Sequence, residues 1–213
     1  MARVKICGLS DPVTLNAALD AGADFVGLMF FAKSPRNVSL DQARVLAAMA
    51  KDRNGGTAKV VTVVVDVDDQ LLSAIARTVR PDFIQAHGKE TPQRVSDIRK
   101  LTGIPVIKVI SVAEAADVAR AESYTGHAEF MMFDAKTTGP LPGGMGHAFD
   151  WSLLAAASHP YMLAGGLSPE TVARAISLTG THMVDVSSGV ESSPGVKDGA
   201  LIRKFIEAAK AAR

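Results

Sequence analysis

The chain's only cysteine, Cys7, closes a short apolar run, Arg3–Cys7. A carboxylate, Asp134, directly follows another such run, Phe130-Met131-Met132-Phe133. A thiol removes protons as its thiolate, which a cationic neighbour favours. A partly desolvated carboxyl can instead hold a proton and deliver it. Either could move a proton in catalysis. Each has a plainer reading: lone cysteines are most often inert small hydrophobes, and an acid after a strand can merely solvate a loop. Two further segments suit an anion. Gly165-Gly166 and Ser187-Ser188-Gly189 combine close backbone approach with hydroxyl donors, as a phosphate cradle requires. Arg36 by itself reads as a solvated loop arginine, although its planar fork could take a carboxylate. His87 is of a type that often carries protons, and it could equally form a pocket wall. His127, His147, His159 and His182 show no metal-ligand spacing, so neither a metal nor a cofactor is expected.

These residues need a frame, and the chain supplies one. Short apolar runs cover Arg3–Cys7, Phe25–Met29, Val60–Val65, Phe83–Ala86, Val106–Ile110, Glu129–Phe133, Met162–Ala164 and Met183–Val186. Helix-like segments fall between or after them: Pro12–Ala21, Leu40–Ala50, Asp68–Thr78, Pro92–Leu101, Val112–Ala121, Asp150–Ala157, Pro169–Leu178 and Asp198–Ala211. Start signals support several of these. Asp11-Pro12, Thr91-Pro92 and Ser168-Pro169 put a capping side chain before proline, and Ser39 with Gln42 forms a capping box. Strands alternating with helices predict parallel βαβ units. Eight repeats within 213 residues predict one α/β domain over 1–213, a (β/α)8 TIM barrel. A doubly wound sheet would want a glycine-rich turn after the first strand, and Cys7-Gly8-Leu9-Ser10 is not one. Cys7, Asp134 and both glycine-containing segments then fall at the strands' carboxyl ends, where barrel enzymes keep their chemistry.

Period-two alternation sorts the strand faces. Val4 and Ile6 are expected to face the helices, leaving Lys5 and Cys7 inside. Thr62, Val64 and Asp66 are expected to share an inner face, as are Phe83, Gln85 and His87, and Met183, Asp185 and Ser187. Closure puts the last strand beside the first. Because a buried charge needs a partner, Lys5 is expected to pair with Asp185. The loop from Ala135 to Ala148 carries Gly139, Gly143, Gly144 and Gly146 and reads as a candidate lid.

Composition narrows the partners. A net charge of +1 gives no bulk attraction to nucleic acid or to a membrane surface. No apolar run approaches the length of a membrane span. One cysteine allows no internal disulfide, which suits a reducing cytoplasm. No long apolar face stands out, so a monomer acting on a phosphorylated small molecule is expected.

Eight segments occur in order: Lys5-Ile6-Cys7-Gly8, Ser34-Pro35-Arg36, Gln85-Ala86-His87-Gly88, Phe133-Asp134-Ala135, Gly143-Gly144-Met145-Gly146, Phe149-Asp150-Trp151, Ala164-Gly165-Gly166-Leu167 and Asp185-Val186-Ser187-Ser188-Gly189-Val190-Glu191. Together they resemble the phosphoribosylanthranilate isomerases of tryptophan biosynthesis, from the first strand to the last helix. That family usually has Leu at the position of Ala86 and Thr at that of Met145. The resemblance implies an Amadori rearrangement of N-(5-phosphoribosyl)anthranilate, with Cys7 as base, Asp134 as acid and Arg36 on the benzoate carboxylate. It also implies that His87, Gly165, Gly166, Ser187, Ser188 and Gly189 contact substrate. Three alternatives stand beside it. One is a sugar-phosphate epimerase, which would want metal ligands on several strands. Another is an indole-glycerol-phosphate synthase, for which Lys108 would be the lysine. The third is a non-catalytic binding barrel.

Overall fold

The computed structural model describes residues 1–136 and 149–212. The glycines of the candidate lid, together with Met145 and His147, lie outside the described residues. Eight parallel strands close into a barrel in sequence order: β1 (Arg3–Cys7), β2 (Phe25–Phe30), β3 (Lys59–Val64), β4 (Phe83–Ala86), β5 (Val106–Val112), β6 (Phe130–Ala135), β7 (Tyr161–Leu163) and β8 (Met183–Val186). Helices α1 (Pro12–Asp20), α2 (Leu40–Asp52), α3 (Asp69–Thr78), α4 (Pro92–Thr102), α5 (Ala115–Ala119), α6 (Val172–Thr179) and α7 (Gly199–Ala211) follow strands one to five, seven and eight in turn. The start signals act as expected at three of them. Asp11 caps α1, Ser39 and Gln42 form the capping box of α2, and Thr91 caps α4.

Three expected helices are shorter than the pattern suggested. Val112 belongs to β5, where it pairs with Ala135, so α5 starts only at Ala115 and continues as a 3-10 turn over Arg120–Tyr124. The expected helix at 150–157 is a 3-10 run, Trp151–Ala156, started by the Asp150 side chain on the Ser152 amide. Ser168 does not cap α6. Its hydroxyl accepts from the Glu170 amide within a turn, its own amide donates to Thr171 Oγ1, and the helix begins at Val172. Short local side-chain bonds compete with helix start here.

Two apolar layers separate inside from outside. Val4, Ile6, Val60, Val64, Ile84, Ala86, Val184 and Val186 pack against the helices. Phe25, Val61, Ile107, Val109, Met132, Met162 and Ala164 fill the interior with Phe83, Phe130 and Met183. Ala86 thus faces the helices, as expected of a packing change. The parity expected for β3 is wrong: Val61 is inside, and Thr62 and Val64 lie on the other face. A valine-rich strand buried on both faces, with Thr62 as its one polar residue after Lys59, has no clear polar alternation to read. Asp66 lies beyond the strand at φ 49°, so alternation does not run through it.

The interior changes character along the strands. The first residues of four alternate strands, Phe25, Phe83, Phe130 and Met183, belong to the inner cluster. Phe25, Phe83 and Phe130 stack edge to face at 6.2 and 5.9 Å, with the Arg3 guanidinium 4.3 Å from the Phe25 ring centre. This plug closes the amino end. Further along the same strands the inward residues become Gln85 and His87, Asp134, and Asp185 and Ser187. Among the described residues of these strands, inward polar side chains gather toward the carboxyl end.

Candidate active site

A cavity of about 640 Å³ opens at that end. Cys7, Asp134, Arg36, His87, Gly166, Ser187, Ser188 and Gly189 all line it. Gly165 stands just behind: a Cβ there would lie 3.0 Å from Asp134 Oδ1. The fold thus brings the residues expected at the site to one chamber.

Cys7 ends β1 and is buried. Its carbonyl accepts from Ser187 Oγ at 3.2 Å, tying the first strand to the end of the last. Burial is the largest influence and leaves the thiol above its ordinary value; Lys5 and Lys197 pull it down and Asp185 pushes it further up. Lys5 and Asp185 pair at 2.9 Å, as their strand faces required. Asp134 sits on β6 with Oδ1 accepting from the Ala135 amide at 2.8 Å. Its other oxygen, Oδ2, lies 3.3 Å from His87 Nε2, while His87 Nδ1 lies 3.2 Å from Gln85 Nε2. His87 thus forms part of the chamber wall, as expected, and adjoins the candidate acid.

The loops after β7 and β8 touch directly. A Cβ on Gly189 would fall 2.0 Å from the Leu167 carbonyl oxygen, so only glycine permits this contact. Gly165 and Gly166 both have positive φ, 82° and 70°. Backbone amides here can converge on one anion.

Arg36 is not a free loop arginine. Nε and Nη2 donate to the two oxygens of Glu191 at 2.6 and 2.8 Å. Glu191 also accepts from Lys197 Nζ at 2.6 Å and from the Gly195 amide at 3.1 Å. Burial pushes its carboxyl up, but Arg36 and Lys197 outweigh that and hold it at about 2. Lys197 donates onward to the Ser187 carbonyl and hydroxyl at 2.9 and 3.1 Å. One chain of charge thus joins the arginine to the Ser187 loop.

Sequence reasoning missed Lys197 and gave Glu191 no role. Both lie on a small hairpin, β9 (Glu191–Ser193) with β10 (Val196–Lys197). Pro194-Gly195 is a turn signal that could have revealed it. The segments expected to hold phosphate looked devoid of basic residues because their lysine comes from this hairpin.

Lys108 is elsewhere. It lies between barrel and helices, where Nζ donates to Glu90 Oε2 and the Gly88 carbonyl, both at 2.7 Å, and to the Ala86 carbonyl at 3.3 Å. A lysine so enclosed cannot serve chemistry in the chamber. Among the described residues no cluster of histidine, cysteine and acidic side chains has the form of a metal site. No helix there is long and apolar enough to cross a membrane.

Comparison with known proteins agrees with the barrel fold and with the family resemblance. The family model for N-(5'phosphoribosyl)anthranilate (PRA) isomerase matches residues 4–208. An N-(5'-phosphoribosyl)anthranilate isomerase from Caulobacter vibrioides is 50% identical over 213 residues, covering 98% of this chain and 96% of that protein. One from Rhodopseudomonas palustris is 49% identical, covering 99% and 96%. A crystal structure of phosphoribosyl anthranilate isomerase from Thermotoga maritima superposes with a TM-score of 0.87 at 34% identity, covering 99% of each chain. A structure of such an isomerase in complex with reduced 1-(o-carboxyphenylamino)-1-deoxyribulose 5-phosphate has a TM-score of 0.84 at 33% identity, again covering 99% of each.

Proposed function

This chain belongs to the N-(5'-phosphoribosyl)anthranilate isomerase family, and from that membership we propose that it converts N-(5-phosphoribosyl)anthranilate to 1-(2-carboxyphenylamino)-1-deoxyribulose 5-phosphate. The step belongs to tryptophan biosynthesis, and residues 1–213 act as one catalytic domain. The observation that carries the reading is a single chamber holding Cys7, Asp134, Arg36 and the Ser187–Gly189 loop.

The reaction is an internal redox-neutral shift. Asp134 gives its proton to the furanose ring oxygen. The C1–O bond breaks as the nitrogen lone pair forms a C1=N iminium. Cys7, as thiolate, removes the proton from C2. The C2–H electrons form the C1=C2 bond, and the iminium pair returns to nitrogen. The enolamine then gains a proton at C1 and loses one from the C2 hydroxyl, leaving the ketone. Atoms and electrons balance without a cofactor. Each positioned group of this kind contributes about 10²–10⁴-fold.

The remaining residues bind. Amides and hydroxyls of Gly165, Gly166, Ser187, Ser188 and Gly189 hold the phosphate, with Lys197 behind them. Arg36 takes the benzoate carboxylate, its plane fixed by Glu191. His87 borders the ring-opening side beside Asp134. The outward-facing Lys108 disfavours the synthase alternative.

The protein acts as a cytoplasmic monomer in this reading. Among the described residues its exposed large apolar side chains, such as Val13, Val45, Leu101 and Leu178, are few and lie on separate helices. Sedimentation gives the mass directly, and a dimer would overturn that part alone. The activity itself is tested by growth of a tryptophan auxotroph lacking this step. Growth with the intact chain and none with Cys7→Ala is expected. Failure of the intact, folded chain to support growth would sink the assignment.

A further inference from the structure

We propose that Lys5 is the positioning residue of the Cys7 thiolate: held by Asp185, its ammonium sits beside the sulfur and stabilises the charge Cys7 carries before it takes the C2 proton. This rests on Cys7 being the base.

Three observations converge. First, Lys5 is fully buried and lies two residues before Cys7 on the same inward face of β1. A buried ammonium is costly, so its place has to be maintained by partners. Its Nζ donates to Asp185 Oδ1 at 2.9 Å, and the ammonium lies near enough to Cys7 for each to bias the other's charge. Secondly, Gly27 stands opposite Cys7 in the register of β2. A Cβ on Gly27 would lie 3.0 Å from Cys7 Sγ and 3.2 Å from Lys5 Nζ. Sulfur and ammonium therefore converge on one point, and the missing side chain leaves that space to them.

Thirdly, the charges around the thiol are ordered. Lys5 on its own strand, Lys197 on β10 and Arg36 after β2 face it as cations, and Asp185 on β8 faces it as an anion. Arg36 and Lys197 are both engaged by Glu191. Lys5 gives the largest downward pull on the thiol against burial, greater than the opposing push of Asp185. Asp185 in turn keeps the Lys5 ammonium protonated despite burial. During the reaction Lys5 keeps its proton; the proton from C2 goes to sulfur alone.

Because the chain has one cysteine, alkylation by iodoacetamide reads Cys7 and nothing else. The rate is measured against pH for the intact protein and for Lys5→Met, with the thermal transition of each recorded. The thiol of Lys5→Met is expected to ionise at least about one pH unit higher, so its alkylation near neutral pH falls about tenfold. Turnover should fall in proportion. If Lys5→Met does not fold, leaving Asp185 unpaired, the neutral pair Lys5→Met with Asp185→Asn replaces it. That pair should also move upward, by less, because a repelling charge leaves too. An unmoved ionisation in the folded variant overturns the proposal, as does a moved one with unchanged turnover. The base assignment fails separately, if Cys7→Ala retains turnover.

Discussion

Two buried lysine–carboxylate pairs on the barrel wall have opposite uses. Lys5–Asp185 and Lys108–Glu90 are bonded at 2.9 and 2.7 Å, and all four side chains are less than a tenth exposed. Lys5 points into the barrel beside Cys7. Lys108 points out of it, toward the helices. There its hydrogens are spent on Glu90 and two carbonyls, and Glu90 in turn accepts from the amides of Asp66 and Gly88. The outer pair ties the segment after β3 to the segment after β4, which carries His87. The inner pair borders the chamber. One position of strand parity separates a charge that can act on substrate chemistry from one that holds a loop.

That contrast can be broken in several ways. The largest effect belongs inside: Asp134→Asn should lower turnover by about 10²-fold or more while the reduced product analogue still binds. Near-normal turnover would show that the inward carboxylate on β6 is not the acid. Next, Lys108→Met should cost about 3–5 kcal/mol of stability, because it strands Glu90 without a counter-charge. Denaturant unfolding measures this. The alkylation profile of Cys7 should stay where it is, and a shift there would erase the distinction between the pairs.

Arg36→Lys keeps a charge but loses the planar fork. Its KM should rise about tenfold, near 1.4 kcal/mol, with kcat little changed. An unchanged KM in steady-state assays would remove Arg36 from the carboxylate site. The smallest effect concerns Glu191, whose carboxylate is also enclosed. Its pKa is about 2 in the folded chain against an ordinary 4.5. A depressed carboxylate contributes stability that is complete above the unfolded value and lost as pH falls through the folded one. Glu191→Gln should therefore flatten the acid loss of stability between those two values. Equal acid profiles for the variant and the intact chain would count against the Arg36–Glu191–Lys197 chain of charge.

The same parity explains what the sequence could reveal. The barrel was legible because apolar runs and helix-like segments each recur eight times. The Lys5–Asp185 pair was legible because charges interrupt otherwise apolar strands at fixed parity. The valine-rich β3 offers only Thr62 within its apolar run, which does not mark the inner face, and its faces were assigned the wrong way round. Cys7, Asp134 and the two glycine-containing loops stood out as chemical types at strand ends. Glu191 and Lys197 did not. Their use depends on a hairpin that folds back over Arg36, and no periodicity encodes that tertiary return. His87 was visible, but its closeness to Asp134 comes from barrel curvature, which brings the ends of β4 and β6 together.

The central claim is that one inward thiol removes the C2 proton. Its most direct test is turnover of purified Cys7→Ala on N-(5-phosphoribosyl)anthranilate, with affinity for the reduced product analogue measured on the same sample. Turnover reduced by about 10²-fold or more with affinity retained is the predicted result. Turnover close to that of the intact chain would contradict it.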